Sequence, residues 1–164
     1  MRSPATVPAT CTAPNVTRIT LALPASAGDT VLTPDDVTPS GHRLEGARIV
    51  VSGGRGIGGP DGFAQLDTLS ARLGAATAAS LPAVDAGWAS VSQQVGQSGA
   101  FVAPDIYVAF GLSGTAQHLA GIGQATRIFA VNSDADADIF KIAELGIVAR
   151  WQDVLPRLLD ALQE

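Results

Sequence analysis

From residue 47 onward the chain alternates short apolar runs with stretches of helical periodicity. Residues 47–52 (ARIVVS) form an apolar run that breaks into Gly53-Gly54-Arg55-Gly56. A run of this length bounded by glycine predicts a strand buried on both faces. After Pro60-Asp61-Gly62, the apolar residues Phe63, Leu66, Leu69 and Leu73 recur at helical spacing, with Asp61 as a candidate N-cap. Residues 105–110 (DIYVAF) and 127–131 (RIFAV) are further buried-strand patterns. Residues 115–122 predict a helix, 139–145 a short helix, and 146–149 a short strand. Val154, Leu155, Leu158, Leu159 and Leu162 form the apolar stripe of a last helix. Strands alternating with helices, the strands apolar throughout, predict an α/β domain: a parallel sheet with helices on both faces.

Residues 1–45 have a different texture. Pro4, Pro8, Pro14, Pro24, Pro34 and Pro39 interrupt them, and helical periodicity is weak. One strand is expected at 16–23, with Val16, Arg18, Thr20 and Ala22 on one face and Thr17, Ile19, Leu21 and Leu23 on the other. The expected division is therefore an irregular, strand-containing segment over 1–45, a linker or remnant of a preceding domain, and a domain over 46–164.

Three small polar loops follow expected strands: 52–56, 111–114 and 132–134. Ligands of open parallel sheets bind beyond the carboxyl ends of the strands, so these loops should gather along one edge. Their glycines let backbone N–H groups approach an anion. Ser113-Gly114 is a candidate pyrophosphate cradle, and Arg55 a candidate fixed cation. The chain has neither a P-loop lysine nor G-x-G-x-x-G after its first strand, which weakens ATPase and ordinary dinucleotide-fold readings. Gln93-Gln94-Val95-Gly96-Gln97-Ser98-Gly99 is polar and amide-rich between apolar regions. It reads either as an exposed loop or as a binder of a heterocycle's hydrogen-bonding edge. His118 sits one turn into an expected helix that faces the loops, where an imidazole serves either as a satisfied structural group or as a donor to developing negative charge.

Composition narrows the function classes. The 164 residues are 46% hydrophobic and 15% charged, enough for a packed core. A net charge of −5, with Lys141 the only lysine, supplies no basic stripe for nucleic acid. Cys11 is the only cysteine, and His42 and His118 follow no ligand spacing, so no metal site is expected. No apolar run reaches membrane-spanning length, and the N-terminus lacks a basic-then-apolar pattern, so a cytoplasmic protein without a membrane span is expected.

Four motifs occur in an order and spacing that resemble one known family. They are Ser52-Gly53-Gly54-Arg55-Gly56, Val84-Asp85-Ala86-Gly87, Gln94-Val95-Gly96-Gln97-Ser98-Gly99, and Gly111-Leu112-Ser113-Gly114-Thr115-Ala116-Gln117-His118-Leu119-Ala120-Gly121. Together they resemble the C-terminal FAD-binding domain of electron-transfer flavoprotein α subunits, over roughly residues 47–162. Asn132-Ser133-Asp134, Ile139-Phe140 and Gly146-Ile147-Val148-Ala149 continue the likeness. The resemblance implies an FAD-binding electron carrier rather than an enzyme. It would pass electrons from flavin dehydrogenases towards a quinone reductase, in a heterodimer with a β-type subunit that closes over the ring. Arg55, Ser80 and Ser98 would lie near the isoalloxazine, with the Ser98 hydroxyl close to N5. Val95, Gly96, Gln97 and Gly99 would line the ring and ribityl region. Ser113, Gly114 and Gln117 would serve the ribityl chain and pyrophosphate, His118 would reach the C2 carbonyl, and Asn132 would hold the adenosine end.

The sequence departs from the family pattern in three places. Leu81, followed by Pro82, stands where the family has an arginine that favours the one-electron-reduced anion; losing that cation weakens the anionic form. Arg150 stands where the family tends to have Asp near the adenosine. Residues 1–45 stand where a whole preceding domain is usual. The residues leave two other readings open. One is a degenerate nucleotide-binding assembly module without redox activity, favoured by Leu81 and Arg150. The other is a flavin enzyme, for which Asp85 and His118 are the only candidate bases.

Overall fold

Strand β1 (Ile49–Gly53), the first element among the described residues, lies inside a sheet rather than at its edge. The computed structural model describes residues 43–162. The strand expected at 16–23 lies outside them. Five strands, β1, β2 (Ala76–Ala79), β3 (Ile106–Phe110), β4 (Arg127–Asn132) and β5 (Leu145–Val148), form one sheet in the order β2-β1-β3-β4-β5, with every pairing parallel. The α/β expectation holds.

The pleat divides the core in two. Val50, Tyr107, Ala109, Ile128 and Ala130 face one side, where Val95, Val102, Leu112, Ile122 and Ile139 cover them. Val51, Phe110 and Val131 face the other, beneath helix α1 (Pro60–Leu73), helix α2 (Leu81–Asp85) and helix α4 (Trp151–Ala161). The two sides are covered unequally. The long helices share one face, while the other carries loops, the single turn α3 (Ala116–Leu119) and a 3₁₀ turn at Asp138–Lys141.

Helix α1 begins two residues earlier than the capping expectation. Gly59 is the N-cap and Pro60 opens the first turn, because proline lacks the N–H that a helix start leaves unpaired. Asp61 instead adds negative charge to that turn. Phe63, Leu66 and Leu69 are buried against the sheet, each contributing about 1.5–3 kcal/mol relative to exposure. Gly74 ends the helix in the left-handed region at φ +60, and the Ala75 N–H returns to the Ser70 carbonyl at 2.8 Å.

Other extents differ for tertiary reasons. The helix expected over 115–122 is only Ala116–Leu119. Past it the chain pairs with another segment: the Val102 N–H donates to Gly121 O and the Gly123 N–H to Val102 O, both at 2.8 Å. The helix expected over 139–145 is the 3₁₀ turn, and β5 starts at Leu145. Strand β2 was not expected: Ala76-Thr77-Ala78-Ala79 has helix-forming composition, yet all four residues are buried. In α4, Leu155 is fully buried, but Leu162, placed in the expected stripe, is 41% exposed. Strand β5 is an edge among the described residues, with Leu145, Ile147 and Val148 exposed.

Candidate functional site

Strands β1 and β3 are neighbours, but their connections diverge. The chain leaves β1 towards β2 on one side and β3 towards β4 on the other. The loops after them therefore part and leave a crevice, the usual ligand position in open parallel sheets. Glycines hold the loops at backbone contact. A Cβ on Gly54 would lie 2.2 Å from the Gly111 carbonyl oxygen, and the Gly54 N–H donates to Phe110 O at 2.9 Å. Gly114, at φ +82, is similarly confined: its Cβ would fall 2.3 Å from the Ile139 nitrogen, whose N–H donates to Ser113 O at 3.0 Å.

These loops border a cavity of ≈ 600 Å³, of cofactor-binding size. It runs across the ends of β2, β1, β3 and β4, roughly 14 Å at ordinary strand spacing, and so suits an elongated ligand. Arg55, Ser80, Val95, Gly96, Gln97, Ser98, Ser113, Gly114, Gln117, His118 and Asn132 all line it. Gly99 does not: it closes the turn behind the lining, its N–H donating to Gly96 O at 3.0 Å. Leu81 also borders the cavity, 44% exposed, which leaves Arg55 the one cationic side chain in the lining among the described residues. Arg150 lies outside the lining, caps α4 and pairs with Asp153 at 3.4 Å. Asp85, at the end of α2, is exposed and also outside it.

The amide-rich segment is not an exposed loop throughout. Gln94, Val95 and Gly96 are buried. The Val95 N–H donates to Ala79 O at 3.0 Å and the Gln97 N–H to Gln117 O at 2.8 Å. Gly96 takes φ +140, a region open to glycine, because Gln117 and Gly121 pass against its backbone. Gln94 donates through Nε2 to the Ser98 hydroxyl at 2.9 Å, orienting Ser98 at the cavity with its own proton still available.

The candidates differ in what they still offer a ligand. Asn132 spends much of its amide internally, donating to Leu112 O at 2.9 Å and accepting from the Asp134 N–H at 3.0 Å, so it ties two loops together. Ser80 Oγ and His118 Nδ1 are buried without hydrogen-bond partners, and such atoms in a native structure call for an explanation. His118 Nε2 lies 2.8 Å from the Tyr107 hydroxyl. Burial pushes the imidazole down to about 4, so the ring is neutral at physiological pH; the Val95 carbonyl opposes that shift without completing a bond of good geometry. Burial also holds the Tyr107 phenol well above its ordinary range, against a smaller opposing effect of Ser52.

Sequence reasoning missed Tyr107, which reads as an ordinary strand residue. It also passed over Thr115 and Asp134 as site residues, although both stand in or beside loops already marked for function. Among the described residues no cluster of His, Cys, Asp or Glu could hold a metal ion, and no helix is long and apolar enough to cross a membrane.

Comparison with known proteins points the same way. Residues 43–123 match the family model described as "Electron transfer flavoprotein FAD-binding domain". The electron transfer flavoprotein subunit alpha of Thermoanaerobacterium thermosaccharolyticum is 49% identical over 121 residues, 74% of this chain and 37% of that protein. The mitochondrial subunit of Arabidopsis thaliana is 47% identical over 121 residues, 74% of this chain and 33% of that protein. The Pseudomonas aeruginosa subunit is 45% identical over 140 residues, 85% of this chain and 45% of that protein. The matched part thus spans less than half the length of these relatives. Through the domain that carries the cavity, the chain belongs to the electron transfer flavoprotein α-subunit family.

Proposed function

We propose that the cavity holds FAD and that the chain serves as an electron carrier, working with a β-type partner subunit. The observation that carries this reading is the lining itself: four strand ends contribute backbone loops along an elongated opening, with Ser80 Oγ and His118 Nδ1 buried there and unpartnered. An FAD-sized ligand with a polar heterocycle at one end suits that arrangement. Arg55, Ser80, Ser98 and His118 would hold the ring, with Val95, Gly96 and Gln97 against it. Ser113, Gly114 and Gln117 would hold the linking chain, and Asn132 would fix the loop at the far end. Gly99 would act only through the turn that positions Gln97 and Ser98. FAD supplies the redox chemistry when bound. The residues' part is to bind it, orient it and set the polarity around it. On this reading the electrons come from flavin dehydrogenases and leave towards a quinone reductase.

The test is to purify the chain with and without a β-type subunit, denature it and identify the released nucleotide. FAD is expected, with affinity markedly higher in the presence of the partner, since a partner that binds only the loaded form stabilises it by mass action. Release of FMN or NAD alone overturns the reading. A colourless complex favours the assembly-module alternative, which Leu81 supports.

Leu81 also provides a graded test. It is partly exposed and borders the cavity, so Leu81→Arg changes charge at little cost in packing. A cation beside bound FAD favours its reduced, more negative form. The midpoint potential should rise on the order of 30 mV, a tenfold change for a two-electron couple. An unchanged potential would show that position 81 does not face the ring.

A further inference from the structure

We propose that Tyr107 is a positioning residue that locks His118 as its Nδ1–H tautomer, so that the ring offers the cavity a donor and not an acceptor. A neutral imidazole carries one N–H, and its neighbours decide which nitrogen bears it. Burial keeps this ring neutral. Its Nε2 is engaged by the Tyr107 hydroxyl at 2.8 Å, from a side chain that is fully buried and absent from the cavity lining. The ring is therefore anchored from beneath, by a side chain on the sheet face that α3 covers, and Nδ1 is its only uncommitted polar atom.

Two considerations give the Tyr107–His118 bond its direction. A phenol is a strong donor and an imidazole nitrogen a strong acceptor, so the proton belongs on the Tyr107 oxygen. The Val95 carbonyl, which accepts only, favours a proton on the ring without completing a hydrogen bond to it. Both agree with Tyr107 donating to Nε2 at 2.8 Å and a proton on Nδ1. With no hydrogen-bond partner inside the protein, that N–H is matched by an acceptor on the ligand. A ring carbonyl or an anionic oxygen fits, and a ligand edge that presents N–H does not. Applied to FAD, which rests on the function proposed above, the matching edge is a carbonyl of the flavin ring.

The test uses the full chain labelled with ¹⁵N in its histidines. There are only two, so His42→Gln assigns the remaining signals to His118. Long-range proton–nitrogen spectra at neutral pH, without FAD, should show His118 protonated at Nδ1 and bare at Nε2. A proton at Nε2 overturns the proposal. Tyr107→Phe keeps the ring and removes the hydroxyl. It should abolish the single tautomer and weaken FAD binding roughly five- to tenfold, as expected for one hydrogen bond. Unchanged His118 nitrogen shifts in that variant also overturn the proposal, and if the variant fails to fold the parent spectrum still decides. Expected shifts in a chain that binds no FAD even with its partner would overturn the flavin reading and leave the tautomer assignment standing.

Discussion

Gly54→Val should remove most of the domain's stability and empty the cavity. The residue stands where β1 ends beside β3, and its Cβ position lies 2.2 Å from Gly111 O and 2.8 Å from the Leu112 Cα. Both obstacles are backbone, so no side chain can rotate away. The two loops would have to separate, breaking the bonds from the Gly54 N–H to Phe110 O at 2.9 Å and from the Gly56 N–H to Gly111 O at 3.1 Å. Two buried bonds and the displaced loop packing place the loss at about 3 kcal/mol or more. Gly58→Ala is the matched control. Gly58 has φ +83 but open space around its Cβ position, so only backbone strain of about 1–2 kcal/mol is expected. Urea unfolding of the three chains gives the comparison. If Gly54→Val unfolds at the parent's midpoint, the contact between the β1 and β3 loops does not exist in solution.

The second large effect is acid sensitivity through His118. Unfolded, this ring takes up a proton near its ordinary value of 6.5; folded, it does so only near 4, because burial disfavours the cation. Below 6.5 the unfolded chain therefore binds more protons, and stability falls as pH falls. The contribution is fully present above about 6.5 and disappears progressively towards 4. The shift corresponds to about 3 kcal/mol. Glu144, held below the ordinary carboxylate range chiefly by its hydrogen bond to Arg127, acts in the same direction at lower pH, but it is exposed at the surface. His118→Gln separates the two. Its stability should change little between pH 7 and pH 5, whereas the parent should lose much of this contribution. Parallel pH profiles for the two chains would show that His118 is solvated or already charged in the folded state.

Local pattern was enough for most of the sheet. β1, β3 and β4 are apolar runs closed by glycine or asparagine, and such runs have few alternatives to a buried strand. The strand-end loops were legible for the same reason: Gly-Gly-Arg-Gly, Gly-Leu-Ser-Gly and Asn-Ser-Asp are turn chemistry at the ends of such runs. The rest depended on contacts between distant segments. Ala76–Ala79 has no local reason to be extended; it is a strand because it pairs with the edge of β1 and its four small side chains are all buried there. The helix after Thr115 stops at Leu119 because residues 121–123 pair with Val102, an arrangement with no sequence-local signal.

At the candidate site, residue types alone marked where a ligand would meet the chain, because glycine and small polar side chains at strand ends leave backbone groups open. They did not reveal how the site is held. Tyr107 lies eleven positions before His118 and reads as one more apolar strand residue; only the pleat places its hydroxyl under the imidazole, at 2.8 Å. Asn132 read as a ligand contact, yet folding brings Leu112 O and the Asp134 N–H to its amide and makes it a tie between loops. Sequence periodicity reports which face of an element is buried, since that depends on near neighbours along the chain. The protonation and remaining hydrogen-bonding capacity of a buried polar group depend on which atoms end up within about 3 Å of it, and that is settled only when the strands and loops pack.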